Sequence, residues 1–287
     1  MKIHVITKDK LDLICAICLD PSVDQETRYL MEDGMDNRIS WIKNMMPKGL
    51  EILVALENPR HEKIHYKWVG KMLHSDLAIQ GHVPMGLLEY LPIEYALESV
   101  EGKDSLFINC MWVLPPFWNK GVGKALIESF IERAKKYSGA CVITYKGDSW
   151  FGTSIKYMPS SFFEKFGFIE VDREGSRGLL FLDLGSKSQP KLIHPKIMEQ
   201  KINKKMNFEI FSNNQCPWSR YMINTFKKEL AKYSNINITI INTNKRETVQ
   251  KLGISRGASI NGIPLIKRMA SWEEIKQDFE KYRLESS

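Results

Sequence analysis

The sequence predicts two α/β domains of unequal size, and three observations carry that expectation. Strand-like apolar runs alternate with segments of helical period along the first 184 residues. A lysine-rich stretch holding Pro190 and Pro195 has no sustained apolar face and reads as a linker. Beyond it a strand–helix–strand pattern starts afresh. The boundaries that follow are 1–184, a linker at 185–206, and 207–287, both domains being of ordinary size.

In the larger domain "KIHVI" is a short strand, and Thr7 is placed to cap a helix running to the break at Asp20-Pro21. "NRISWIKNMM" has helical character and is stopped by Pro47. "LEILVAL", "VPMGLLEYL" and "SLFINCMWV" are strand-like, whereas residues 55–80 fit no element and read as an insertion. The clearest helix is "NKGVGKALIESFIERAKKY", in which Val122, Leu126, Ile127, Phe130 and Ala134 share one face and Gly139 follows the end. "ACVITY" is a strand, "SSFFEKF" a short helix, and "FIEVD" and "LLFLDL" are closing strands.

Composition is that of a soluble globular protein, 43% hydrophobic and 26% charged. No run approaches the roughly 18 apolar residues of a membrane span, and no signal-peptide cleavage pattern is visible, so a cytoplasmic protein without membrane partners is expected. The net charge of +7 comes from the tail, where 18 Lys and Arg face 9 Asp and Glu from residue 191 onward. Its lysines are scattered over helices without an aromatic RNA signature, so a solvated face is preferred to a nucleic-acid surface. Five cysteines do not make a disulfide framework. Cys15 and Cys18 form a CxxC without a second ligand pair, so no metal is expected; they are assigned as buried apolar thiols on one helix face.

Chemistry is carried by "INCMWVLPPFWNKGVGKALIESF". A strand ends at Val113, a proline-containing turn follows, and Gly121 and Gly123 open a helix. Glycines let a ligand approach the backbone, unpaired N–H groups at a helix start point outward, and the helix dipole favours an anion. Lys120 and Lys124 add charge beside it. The turn is neither a Walker loop nor a dinucleotide fingerprint.

The pattern V-x-P-x-x-W-x-x-G-x-G, Val113 to Gly123, resembles the pyrophosphate-binding segment of the GNAT acetyltransferase superfamily, with Trp118 at the usual Arg or Gln position. "FFEKFGF" (162–168) is similar to that family's "fYekfGF" ending. The resemblance implies a GNAT fold, a mixed and splayed central sheet flanked by helices, and acetyl-CoA as cosubstrate. It implies pantetheine pairing near Met111 and Val113, pyrophosphate on the N–H groups of Asn119, Lys120, Gly121, Val122, Gly123 and Lys124, and Trp118 and Phe163 as further cofactor-binding positions. Phe163 stands where the family has the tyrosine that protonates the leaving thiolate, and a phenyl ring has no proton to give. Either Tyr157 or a water is the acid instead, or protonation of the leaving group matters little. For the base, Glu89, Tyr90, Glu94 and Tyr95 lie just upstream of the cofactor strand; Glu89 either reaches the cleft or is an outward-facing strand carboxylate. Cys110 is assigned as a buried strand thiol. The catalytic candidates are thus Glu89, Tyr157 and Tyr95.

In the tail "FEIFS", "PWSRYMINTFKKELAKY" and "INITIIN" make a β-α-β unit, followed by a short helical stretch, a hairpin and a last helix. This fits a thioredoxin-like half with Cys216 near a helix N-terminus, where the dipole is expected to lower its pKa. Ser219 occupies the place of a resolving cysteine. Asn261-Gly262 is a hairpin signal that puts Pro264 inside a returning edge strand. "LLEYLPIEYA", "FINCMWV" and "SNNQCPWSRY" together resemble GNAT proteins with a small C-terminal YoaP-like domain.

The expected activity is N-acetylation of a small-molecule amine, an amino acid or an amino-bearing antibiotic, the appended domain shaping the acceptor site or a homodimer. A thiol-redox protein using Cys216 and a non-catalytic acyl-CoA-binding module are the alternatives. Met31, Met35, Met45, Met46 and Trp41 read either as an apolar acceptor wall or as core.

Overall fold

The computed structural model describes residues 1–19, 24–31, 33–57, 83–147, 149–153, 155–186, 188–195 and 206–285. The expected helix end at Asp20-Pro21 and nearly all of the unplaced 55–80 segment lie outside them.

The central sheet has the order β1-β2-β3-β5-β6-β8-β7. Its strands are β1 (Lys2–Val5), β2 (Glu51–Glu57), β3 (Val83–Pro92), β5 (Ser105–Val113), β6 (Gly139–Tyr145), β7 (Ile169–Glu174) and β8 (Arg177–Asp183). All neighbours are antiparallel except β5 and β6. Strands β4 (Val100–Glu101) and β9 (Lys191–Leu192) form a separate pair.

Helices cover both faces, and alternation along β3 shows how. Side chains of successive strand residues point to opposite faces. Tyr90 meets Phe130 of the helix Val122–Ala134, ring centroids 5.0 Å apart, whereas Glu89 meets Arg38 of the helix Gly34–Met45. The helix Val122–Ala134 buries the face read from its sequence, Val122, Leu126, Ile127, Phe130 and Ala134. The expected helix after Thr7 is instead a 3₁₀ turn at Lys8–Lys10 followed by a helix over Asp12–Cys18. Of the two readings given for them, Met31, Trp41 and Met45 take the interior one, all three being buried.

The C-terminal block has its own core around Phe208, Phe226, Trp272 and Phe279. Its sheet runs β11-β10-β12-β13, with β10 (Met206–Ser212) parallel to β11 (Ile236–Asn242) and antiparallel to β12 (Gly257–Ile260). Asn261 and Gly262 both have positive φ, the signature of a two-residue hairpin turn, and Pro264 lies in the edge strand β13 (Ile263–Ile266) opposite Ser259.

The block is packed against the first one through buried polar contacts. Glu98 accepts from Arg256 and, at 2.6 Å, from Ser255 Oγ. Arg246 donates to the carbonyls of Ala96, Glu98 and Val100. Arg220 forks onto Asp33 at 2.8 and 3.0 Å, and the Trp218 indole N–H donates to the carbonyl of Cys18 at 3.1 Å.

Candidate active site

Strands β5 and β6 pair only where Ser105–Ile108 lie beside Gly139–Val142. Further along, Cys110–Val113 pair with β3 alone, and Ile143–Tyr145 with β8 alone. The parallel strands therefore diverge, and the β6-facing edge of β5 loses its strand partner. Backbone N–H and C=O groups on such an edge are strong, unspent hydrogen-bonding groups. A register shift also makes Asn109 the extra residue of a bulge, with Cys110 opposite Glu89 and Ile108 opposite Tyr90.

Below this opening the chain leaves β5 and turns into the helix Val122–Ala134. Asn119 (φ 58°) and Gly121 (φ 79°) are both left-handed, and Gly121 is the N-cap. A Cβ on Gly121 would meet nothing within 4 Å, so glycine is required there by backbone conformation. Gly123 is the opposite case: a Cβ would lie 3.3 Å from the Phe162 ring and 3.4 Å from Met111 Cε. The first N–H groups of the helix have no intrahelical carbonyl to pair with.

These elements enclose an outer cleft of about 510 Å³. Met111, Val113, Trp118, Asn119, Gly121, Val122, Gly123, Lys124 and Phe163 all line it, so every expected cofactor position except Lys120 is brought together. Lys120 lies over the Phe117 ring, 5.7 Å from its centroid. The Trp118 indole N–H donates to the carbonyl of Val113 at 2.6 Å, which occupies one of the groups at the strand end.

A second cavity, about 260 Å³, lies between the two blocks. Trp112 and Ile155 line both spaces, so the same strand end borders the cleft and the cavity. Trp150 meets Tyr157 and Trp218 at ring-centroid distances of 4.6 and 6.0 Å, forming an aromatic wall. Cys18, Cys110 and Cys216 contribute thiols, and Arg38, Asn109, Gln215 and Arg256 the polar part.

Residues 84–170 match the family model of the acetyltransferase (GNAT) domain. Residues 84–170 therefore carry a GNAT acetyltransferase domain. Along more of the chain, the uncharacterized N-acetyltransferase YoaP of Bacillus subtilis (strain 168) is 26% identical over 251 residues, 86% of this chain and 84% of that protein. The PaiA N-acetyltransferase from Thermoplasma acidophilum, solved in complex with coenzyme A, covers 64% of this chain and 99% of its own at 14% identity and a TM-score of 0.40. The Escherichia coli GNAT N-acetyltransferase YhbS, solved with CoA, covers 67% and 88% at 12% identity and a TM-score of 0.40.

The chain is thus an acyltransferase, and the donor of a GNAT acetyltransferase is acetyl-CoA. The outer cleft fits such a donor. It offers a free strand edge, a glycine turn without a Cβ at its mouth, and outward N–H groups at a helix start.

The three catalytic candidates separate. Glu89 is fully buried; Arg38 Nη2 donates to its Oε2 at 2.9 Å and Asn109 Nδ2 to its Oε1, so both oxygens are engaged behind the cavity wall. Neither the reaching nor the outward-facing reading describes it. Tyr157 lines the inner cavity, and burial pushes its phenol well above the ordinary value of 10.0, keeping the proton in place. Tyr95 is 45% exposed in a 3₁₀ turn, Ile93–Tyr95, and lines neither space.

The thiols also differ from expectation. Cys216 precedes the helix Trp218–Leu230, yet burial raises its pKa against the opposing pull of Arg38 and Arg256. Desolvation outweighs the helix start and both guanidinium groups. Cys18, assigned to the core from its helix face, borders the cavity instead, and burial pushes its thiol up to about 12. Among the described residues no group of three His, Cys, Asp or Glu is arranged to hold a metal. No described helix is long and apolar enough to cross a membrane.

Sequence reasoning missed Arg38, Asn109, Gln215, Trp150, Trp218 and Arg256. Gln215 and Trp218 flank Cys216 in a stretch already singled out, a usable signal. The others are drawn in from distant segments by tertiary packing.

Proposed function

We propose that the chain transfers acetyl from acetyl-CoA directly to the amine of a small molecule, with the donor in the outer cleft and the acceptor in the cavity between the blocks. The observation that carries this reading is the divergence of β5 and β6, whose free edge borders both spaces. The N–H groups from Asn119 to Lys124 hold the pyrophosphate, and the edge near Met111 receives the pantetheine arm. Bringing both reactants to one strand end converts a bimolecular encounter into a positioned attack.

Tyr157 serves as the proton donor in place of the phenyl ring at Phe163. As the amine nitrogen bonds to the acetyl carbon and the carbon–sulfur bond breaks, Tyr157 protonates the sulfur and is reprotonated from water. Among its described lining residues the cavity has no carboxylate or imidazole, so an acceptor bound as its ammonium form gives one proton to water before attack, and the surplus proton left after attack follows the same route. The C-terminal block, whose strand order supports a thioredoxin-like reading, then acts as a wall of the acceptor site. The raised thiol of Cys216 speaks against its use as a redox nucleophile.

The test is a screen of small amines that follows CoA-thiol release, with the native protein beside a Gly121→Val/Gly123→Val variant. Turnover by the native chain and its loss in the variant are expected. Turnover that survives the variant removes the donor assignment, and donor binding without turnover of any amine would leave an acyl-CoA-binding module. A Tyr157→Phe variant should lower kcat by about 10²-fold, the lower end of general acid catalysis, with acetyl-CoA affinity unchanged.

A further inference from the structure

A chain of four polar side chains crosses from the first block to the second beneath the inner cavity. It starts at the ion pair of Arg38 and Glu89, both essentially without solvent contact. Glu89 as a carboxylate only accepts, so the Asn109 group facing it must be the NH₂. That orientation turns Asn109 Oδ1 toward Gln215, and Gln215 must answer with its own NH₂. Charge at one end thereby fixes two amides in sequence. What remains is Gln215 Oε1, a carbonyl oxygen with no hydrogen-bond partner on a side chain of a residue only 3% exposed. Gln215 is held further, its backbone carbonyl accepting from Arg38 Nη1 and its backbone N–H donating to Asn213 Oδ1 at 3.2 Å.

A buried acceptor left empty is costly, and an ion pair and two amides hold this one in place. Arg38 Nε, the other atom without a partner among these four side chains, is itself a donor and does not seek the same group. Gln215 lines the cavity together with Trp112, Trp150, Trp218 and Tyr157, whose rings make the rest of the wall predominantly apolar. Both arginines lining the space are already paired, Arg38 with Glu89 and Arg256 with Glu98.

We propose that Gln215 is a specificity-determining residue for the acceptor, its Oε1 taking an N–H of a compact amine with an apolar or aromatic body packed among the indoles. The proposal rests on the assignment of this cavity to the acceptor. It narrows the substrate class to small, weakly polar amines and disfavours polyhydroxylated amino sugars, whose many hydroxyls would go unpaired against indole and thiol. It also gives the C-terminal block a direct part in recognition, since residue 215 belongs to it.

The experiment pairs two probes with two proteins. 2-Phenylethylamine and its N,N,N-trimethyl derivative share ring and positive charge, but only the first has N–H donors. Binding of each to the full chain saturated with CoA is read from tryptophan fluorescence, for the native protein and for Gln215→Met. The native chain should prefer the primary amine, and Gln215→Met should shrink that preference by about 10-fold, the weight of one buried hydrogen bond to a charged group. CoA affinity should be the same in both proteins, which a merely structural role for Gln215 would not guarantee. Equal preferences in both proteins, or no binding of 2-phenylethylamine to a native chain that binds CoA, would overturn the role of Gln215 and leave the donor site standing. Failure of the native chain to bind CoA would instead overturn the reading on which it rests.

Discussion

The outer cleft and the inner cavity border the same strand end but are built in contrasting ways. The cleft draws its strand end, glycine turn and helix start from one continuous stretch, Met111–Lys124, and closes them with Ile155–Phe163. The cavity draws on residues from Ile17 to Arg256, with Gln215, Cys216, Trp218 and Arg256 supplied by the second block. The cleft presents backbone, left-handed turns and a helix start; the cavity presents indoles, thiols and paired charges. Under the proposed assignment, a common donor is met by local backbone geometry, and a particular acceptor by side chains that only tertiary packing assembles. The two spaces should therefore fail independently.

The largest expected effect comes from dismantling the cavity alone. Glu98, 3% exposed, is the carboxylate that neutralises Arg256 across the block interface. Glu98→Ala leaves a guanidinium buried without its carboxylate, a change that costs roughly 3–5 kcal/mol. Urea unfolding should show that loss. Acetyl-CoA affinity under native conditions should hold, because the side-chain hydrogen bonds of the pair run between Glu98, Ser255 and Arg256, outside the cleft; a parallel fall in affinity would mean that the spaces are one.

Next in size is the reverse experiment. Gly123→Leu drives a side chain toward Phe162 and Met111, both of which line the cleft. The acetyl-CoA Kd, measured by calorimetry, should rise by about 100-fold as the backbone can no longer approach the anion. Fluorescence of the cavity tryptophans on adding 2-phenylethylamine should respond as in the native chain.

The same contrast explains what was legible beforehand. The glycine turn, the helix it opens and the face that helix buries are short-range patterns, and they were readable from Val113 to Ala134. The hairpin at Asn261-Gly262 was readable for the same reason, two adjacent residues with positive φ. Glu89 was recognised as notable without its role, because its partners Arg38 and Asn109 lie 51 and 20 positions away in the chain. For Cys216 the sequence displays the helix start but not the burial that overrides it. Desolvation is set by what packs on top of a group, and here that includes a separate block.

A smaller effect should appear only in alkali. The Cys18 thiol is raised from an ordinary 9.0 to about 12, so the folded chain holds this proton more tightly than the unfolded one. The resulting stability is fully present below pH 9 and is lost progressively as pH rises toward 12. Its slope approaches about 1.4 kcal/mol per pH unit where the unfolded thiol is ionised and the folded one is not. Cys18→Ser should flatten the decline of unfolding free energy in that window. An identical slope in both proteins would place the thiol in contact with water and open the cavity at that corner.

The smallest effect belongs to a residue outside both spaces. Tyr95 ends the 3₁₀ turn after β3 and is 45% exposed. Proximity in sequence to the cofactor strand is what recommended it, and the turn carries it away from the end where β5 and β6 part. Tyr95→Phe keeps the ring and removes a hydroxyl, so stability should stay within about 0.5 kcal/mol. On any amine that the native chain acetylates, kcat/KM should stay within about twofold for the same reason. A tenfold loss would show that the acceptor extends beyond the cavity to the opposite end of β3, and the division into an inner and an outer space would then need a third part.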